Sequence, residues 1–195
     1  VIRPALFSGN RESGLQYCGF SNNKPTIMIM GGSLGSKFIN DAVRANLEEL
    51  LKTYNIIHLC GKGNVEPKLD ILAGYKQFDY VTTELPNLLY ASDYIISRAG
   101  SNSIFEFLAL EKPMLLIPLS AAQSRGDQIL NARLFKSQGL ALVLEEESVN
   151  KETFLTAVHE LRDKEPALMK AMQEAEKPKL PDDMMQLILQ YAKKK

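Results

Sequence analysis

Only two cysteines, Cys18 and Cys60, occur among 195 residues. They are too few for a disulfide framework and fit a reducing cytosol. Histidines are equally scarce: His58 lies inside a strand-like run and His159 on a helix face. Lone histidines in such places are ordinarily structural. No set of His, Cys, Asp and Glu residues has metal-ligand spacing. No Asp-x-Asp motif is present to hold a metal-bound nucleotide sugar. An excess of one charge is also missing, because Lys+Arg and Asp+Glu both number 23. A global electrostatic footprint for nucleic acid is therefore absent. No apolar run approaches the ~18 residues of a transmembrane helix, and no signal peptide opens the sequence. The first residue is Val1, not Met, so a trimmed fragment is expected.

What is present is ordinary for a globular domain: 45% hydrophobic and 24% charged residues. A chain of this length buries roughly 70% of its unfolded surface and needs no staple. No internal repeat is visible. Short apolar runs alternate with amphipathic stretches. Strands are predicted at 26–30 (TIMIM), 55–60 (NIIHLC), 78–81, 93–97 (DYIIS), 114–117 (MLLI) and 140–144. Helical spacing predicts one helix through Phe38, Ile39, Ala42, Val43, Leu47, Leu50 and Leu51. Further helices are predicted at 85–92, 103–110, 127–138, 151–162, 166–176 and 182–193, with Gly139 closing the third of these. Nearly all-apolar strands alternating with helices predict an α/β fold, a doubly wound, Rossmann-like parallel sheet of about six strands. Residues 1–24 lack periodicity and read as a linker or an incoming strand. Residues 25–195 read as one domain.

Ligands of open parallel sheets bind beyond the carboxyl ends of the strands, so the strand-to-helix loops are the candidates. Three are unusual. GGSLGS at 31–36 lets backbone approach a ligand before a helix start, although it also reads as a tight turn that only packs helix on strand. It is not a Walker loop. RAGSNS at 98–103 offers small polar residues at another helix start, where N–H groups and the helix dipole attract an anion. Glu106, one turn further on, suits the two vicinal hydroxyls of a ribose, and equally reads as the partner of Ser103 in a capping box. The third loop, PLSAAQSRGDQILN at 118–131, is long and polar. In it Asp127 and Gln128 suit sugar hydroxyls, or Asp127 caps the helix and Gln128 is solvated.

Taken together, MGGSLGS, HLCGKG, LPNLLYASDYIISRAGSNSIFEFLALEKPMLLIPL and SRGDQILNA resemble the C-terminal half of the MurG family, the peptidoglycan UDP-N-acetylglucosamine transferases. The match runs from Val1 to about residue 144. It implies the C-terminal half of a GT-B fold, with residues 25–195 as the UDP-GlcNAc-binding domain. The acceptor domain, with its GGTGGH loop and the presumed catalytic base, would precede Val1. No catalytic residue is thus expected in this chain. By the resemblance, Gly32 and Ser33 face the diphosphate, and Gly100, Ser101, Asn102 and Ser103 form the phosphate-binding helix start. Glu106 grips the ribose. Val81 or Thr82, with Leu85, holds uracil. Arg3, in VIRP, is similar to the arginine of an NPVR-like linker. Gln128 matches one glutamine of a sugar-contacting Gln-Gln pair, and Asp127 departs from that pair.

The implied activity is inverting transfer of GlcNAc from UDP-GlcNAc to undecaprenyl-pyrophosphoryl-MurNAc-pentapeptide (lipid I), giving lipid II, with no metal and no cofactor. The implied partners are UDP-GlcNAc and, through the other half, the lipid acceptor and the cytoplasmic face of the cell membrane, without nucleic acid. The fragment alone is expected to be inactive. Alternatives are the stand-alone half of another lipid-linked GlcNAc transferase, a glycolipid-forming glycosyltransferase and, from a different class, a non-hydrolysing UDP-GlcNAc epimerase.

Overall fold

In a computed structural model of the chain, residues 2–21, 23–32, 35–121 and 126–176 are described. The helix expected at 182–193 lies outside them, as does Ser33. Six strands form one sheet: β1 (Thr26–Met30), β2 (Asn55–Leu59), β3 (Tyr75–Phe78), β4 (Tyr94–Ser97), β5 (Met114–Leu116) and β6 (Leu142–Val143). All five pairings are parallel, in the order β3-β2-β1-β4-β5-β6. The order reverses between β1 and β4, which opens a crevice at their carboxyl ends.

Among the described residues, eight helices cover the two faces: α1 (Arg11–Cys18), α2 (Lys37–Arg44), α3 (Leu47–Thr53), α4 (Leu85–Ala91), α5 (Ser101–Ala109), α6 (Asp127–Ser137), α7 (Lys151–Asp163) and α8 (Glu165–Glu174). Alternation along β1 divides the core. Ile27 and Ile29 meet Ile39, Val43, Leu50, Phe154 and Leu161 on one face. Met28 meets Leu88, Ile104, Phe107, Phe135 and Met172 on the other. A strand buried on both sides can be apolar throughout, which is why TIMIM reads so clearly.

Four expectations need correction. The helix read across residues 38–51 is two helices. Asn46 turns its side chain back to donate from Nδ2 to the Ala42 carbonyl at 2.8 Å, and the chain restarts at Leu47. Short polar side chains compete with the backbone in this way. The third strand is Tyr75–Phe78, not 78–81. It is an edge strand, alternating buried and half-buried residues, so its polar Lys76 and Gln77 hid it. The helix expected at 103–110 begins two residues earlier, at Ser101. Finally, the stretch before residue 24 contains α1, not a strand. Asn10 caps α1 by accepting from the Ser13 N–H, and its own N–H donates to Asn87 Oδ1 of α4 at 2.9 Å. Gly14 sits so close to α4 that a Cβ there would lie 2.2 Å from the Asn87 carbonyl oxygen.

Candidate functional site

The carboxyl ends of β1, β4 and β5 carry the three loops singled out in the sequence. After β1 the chain turns through Gly31, Gly32 and Gly35. Gly35 has a φ of +77°, and a Cβ on it would lie 2.2 Å from the Cys60 carbonyl oxygen. Only glycine lets this loop cross the end of β2 so closely. Ser36 then caps α2, its Oγ accepting from the Ile39 N–H.

After β4, Gly100 is the N-cap of α5 and provides no side-chain cap. The first backbone bond of the helix is Ile104 N–H to the Gly100 carbonyl. The N–H groups of Ser101, Asn102 and Ser103 are therefore first-turn donors without an intrahelical acceptor. Ile104, Phe107 and Leu108 bury the opposite side of α5 and fix how that turn is aimed.

This helix start decides one open reading. Ser103 is the third residue inside α5, not its cap, so no capping box with Glu106 forms. Glu106 instead lies 7% exposed and accepts a two-point fork from Arg3: Nε to Oε1 at 2.7 Å and Nη2 to Oε2 at 2.8 Å. These hydrogen bonds raise the guanidinium above its ordinary value, against the opposing effect of partial burial. Each carboxylate oxygen keeps a second lone pair after the fork.

Asp127 is the first residue of α6, and Gly126 is its N-cap, so Asp127 does not cap the helix. Its charge stands at the favourable end of the helix dipole. Gln128 is not simply solvated, because its Oε1 accepts the Leu119 N–H at 3.1 Å, fixing the start of the β5–α6 loop.

A cavity of about 610 Å³ is bordered by Gly31, Gly32, Gly100, Ser101, Asn102, Ser103, Asp127 and Gln128. A second of about 660 Å³ continues past Gly35, Ser36 and Lys37. The structure thus brings together the residues expected at the diphosphate and the sugar, apart from Ser33, which lies outside the described residues. Val81 and Thr82 sit on the β3–α4 connection and Leu85 opens α4; they border neither cavity, nor do Arg3 and Glu106. Val81 is buried and Leu85 packs against the same core cluster. A separate apolar groove between α5, α6 and α8 shares no residue with these cavities.

Within the three loops singled out, no individual role was assigned to Arg98, which borders both cavities, nor to Ser36, Leu119 and Asn131. Asn131 Nδ2 donates to the Ala99 carbonyl at 3.0 Å and ties α6 to the α5 start. The signal for Arg98 was available: a basic residue follows directly on an apolar strand and precedes the small polar run. Among the described residues, no three His, Cys, Asp or Glu side chains are grouped to hold a metal ion. No described helix is long and apolar enough to cross a membrane.

A family profile, the Glycosyltransferase family 28 C-terminal domain, matches residues 26–187. The UDP-N-acetylglucosamine–N-acetylmuramyl-(pentapeptide) pyrophosphoryl-undecaprenol N-acetylglucosamine transferase of Clostridium botulinum is 54% identical over 192 residues, covering 98% of this chain and 54% of that protein. The like-named transferase 2 of Bacillus cereus is 59% identical over 160 residues, covering 82% and 46%. The chain spans about half the length of the curated relatives it matches. Among solved structures, Acinetobacter baumannii MurG superposes with a TM-score of 0.68 at 25% identity, over 90% of this chain and 52% of that one. The calicheamicin glycosyltransferase CalG4, at 14% identity and a TM-score of 0.60, shares the fold over 77% of this chain and 36% of its own.

Proposed function

The chain belongs to the glycosyltransferase family 28 C-terminal domain family, and on that premise we propose that it is the nucleotide-sugar-binding half of an inverting transferase. The donor is UDP-GlcNAc and the acceptor is undecaprenyl-pyrophosphoryl-MurNAc-pentapeptide. The product is lipid II of peptidoglycan synthesis. The other half brings the acceptor and holds the enzyme on the cytoplasmic face of the membrane. The observation that carries this reading is the convergence of the glycine loop, the uncapped start of α5 and the Asp127-Gln128 pair on one cavity.

The chemistry follows from the donors in place. Uracil lies along the backbone at Val81 and Thr82, against Leu85. The ribose hydroxyls donate to the lone pairs that Glu106 keeps after binding Arg3. The diphosphate takes the first-turn N–H groups of α5. Asp127 and Gln128 face the sugar. The acceptor hydroxyl attacks the anomeric carbon from the side opposite UDP. Its oxygen bonds to that carbon as the bond to the β-phosphate oxygen breaks, which inverts the configuration. Charge grows on the β-phosphate, and fixed N–H dipoles stabilise it without reorganising. The acceptor's proton leaves to a base on the other half.

The isolated chain is therefore expected to bind uridine nucleotides and transfer nothing. Holding acceptor and donor in line is worth roughly 7–11 kcal/mol, and the groups that do so lie elsewhere. Calorimetry with UDP, followed by chromatography of UDP-GlcNAc with a lipid I analogue, tests both statements. No binding at millimolar UDP overturns the site assignment. Transfer at the rate of a two-domain enzyme overturns the half-enzyme reading.

A further inference from the structure

Arg98 is 5% exposed at the end of β4, yet it carries a full charge. Its Nη1 donates to the Ile117 and Pro118 carbonyls at 3.1 and 3.2 Å, at the end of β5, and to Glu146 Oε2. Its Nη2 donates to Ser36 Oγ at 3.0 Å. Its Cζ lies over the Phe38 ring, 5.8 Å from the centroid. Glu146, itself 6% exposed, opens a short 3-10 turn, Glu146–Ser148, just after β6. One buried ion pair thus spans from the far edge of the sheet to the cap of α2.

We infer that Glu146 is a positioning residue for this site: through Arg98 it fixes Ser36, and so holds the glycine loop opposite the start of α5. The inference rests on the proposed nucleotide site and adds a residue that touches no ligand. Stability alone does not account for the pair, because apolar residues of similar volume commonly serve a core as well as a buried ion pair does. The geometry accounts for it. The proposed diphosphate cavity is bordered by Gly31 and Gly32, which form one wall in this reading, and by Ser101 to Ser103, which form a second. Ser36 belongs to the first wall's loop. Arg98 leads into the second along the chain. A planar guanidinium joining them sets their separation in a way that apolar packing does not.

The test compares Glu146→Ala, Glu146→Gln and Ser36→Ala with the unmodified 195-residue chain. UDP and uridine are titrated well below the melting temperature, and amide hydrogen exchange is followed at Gly31, Gly32, Gly35 and Ser36. Glu146→Ala is expected to weaken UDP by about tenfold, the scale of a lost charge-assisted contact, and uridine by less than about twofold. The four loop amides should exchange faster while the β2 amide of Ile57 does not. Glu146→Gln, which keeps an acceptor, should restore both readouts. Ser36→Ala cuts the other end of the connection and should reproduce the selective loss, so the idea stays testable if Glu146→Ala fails to fold. UDP and uridine falling together, or loop exchange unchanged in Ser36→Ala, overturns the inference. Binding of UDP by the unmodified chain tests the nucleotide site itself, and the exchange measurement needs no ligand, so the two failures are distinguishable.

Discussion

Replacing Glu106 by alanine separates its two roles, tether of Arg3 and acceptor for a ribose. The tether is worth little. Glu106 is buried, but the Arg3 side chain is 59% exposed, so water screens the pair. Such a pair contributes up to about 1 kcal/mol, or about 2–4 °C of melting temperature for a chain of this size. The acceptor role is worth more. Two hydroxyl-to-carboxylate bonds at about 1.5 kcal/mol each sum to about 3 kcal/mol, more than a hundredfold in affinity. Solvent competes at the open Arg3 side, so tenfold, about 1.4 kcal/mol, is the least that the reasoning tolerates.

Calorimetric titration of UDP into the unmodified chain, Glu106→Ala and Arg3→Ala reads this directly. Both variants should melt a few degrees lower, because each removes the same ion pair. Only Glu106→Ala should lose tenfold or more in UDP affinity. Arg3→Ala should lose less, since the carboxylate remains and only its orientation loosens. Equal melting shifts with unchanged UDP affinity in both variants would show that Glu106 is merely the anchor of Arg3, and the ribose assignment would be refuted.

Chelation should not matter: with excess EDTA, UDP-GlcNAc affinity is expected to stay within about tenfold of its untreated value, ~1.4 kcal/mol, and a greater loss would mean that a metal holds the diphosphate. Stability should fall in mild acid because of His58. Asn40 Nδ2 donates to the Cys60 carbonyl, so its Oδ1 receives His58 Nε2–H, and Nδ1 accepts from the Tyr75 hydroxyl. Burial pushes this neutral ring down to about 3 from an ordinary 6.5. The unfolded chain therefore binds a proton below pH 6.5 that the folded chain refuses. Stability is complete above pH 6.5 and drops by up to about 1.4 kcal/mol per pH unit below it, about 2 kcal/mol by pH 5. Urea unfolding at pH 7.5 and 5.0 measures this, and His58→Gln should flatten the slope; an unchanged slope would refute the assignment. Gly35→Ala combines a positive φ with a Cβ forced to 2.2 Å from the Cys60 carbonyl oxygen. It should cost about 1–3 kcal/mol, measured by the same unfolding, and a neutral result would contradict the close crossing.

Legibility in the sequence followed burial symmetry. β1 and β2 are buried on both faces and read as mostly apolar runs, interrupted in β2 by His58. β3, at the edge, alternates with polar residues and was displaced by three positions. α2 and α3 share one hydrophobic spacing, and only the side-chain bond of Asn46 divides them, a choice that periodicity does not encode. The glycine loop and the α5 start were legible because backbone approach and free N–H groups leave local marks. The capping-box alternative at Ser103 was equally local, and it failed because Gly100, not Ser103, is the N-cap. Arg98 and Glu146 stand 48 positions apart. Their meeting depends on the strand order, which places β4, β5 and β6 side by side, and no local pattern records it.

On the proposed nucleotide site, the charge arrangement would let the cavity both grip and release a diphosphate. Its fixed charges are largely neutralised within the protein: Arg98 is matched by Glu146, and Lys37 bonds Asp41 at 2.5 Å. The attraction left for an anion is then chiefly that of first-turn N–H groups and of the dipoles of α2 and α5, which start at the two adjoining cavities. Dipolar attraction falls off within a turn of the helix end. It is therefore felt by an oxygen seated against the N–H groups and weakly by one that has moved away. A mobile, unpaired cation on the cavity rim would by contrast attract the departing UDP over a longer range and slow its release. Neutralised charges and aimed dipoles instead favour the moment when negative charge is greatest on the bound β-phosphate, which is the moment of transfer.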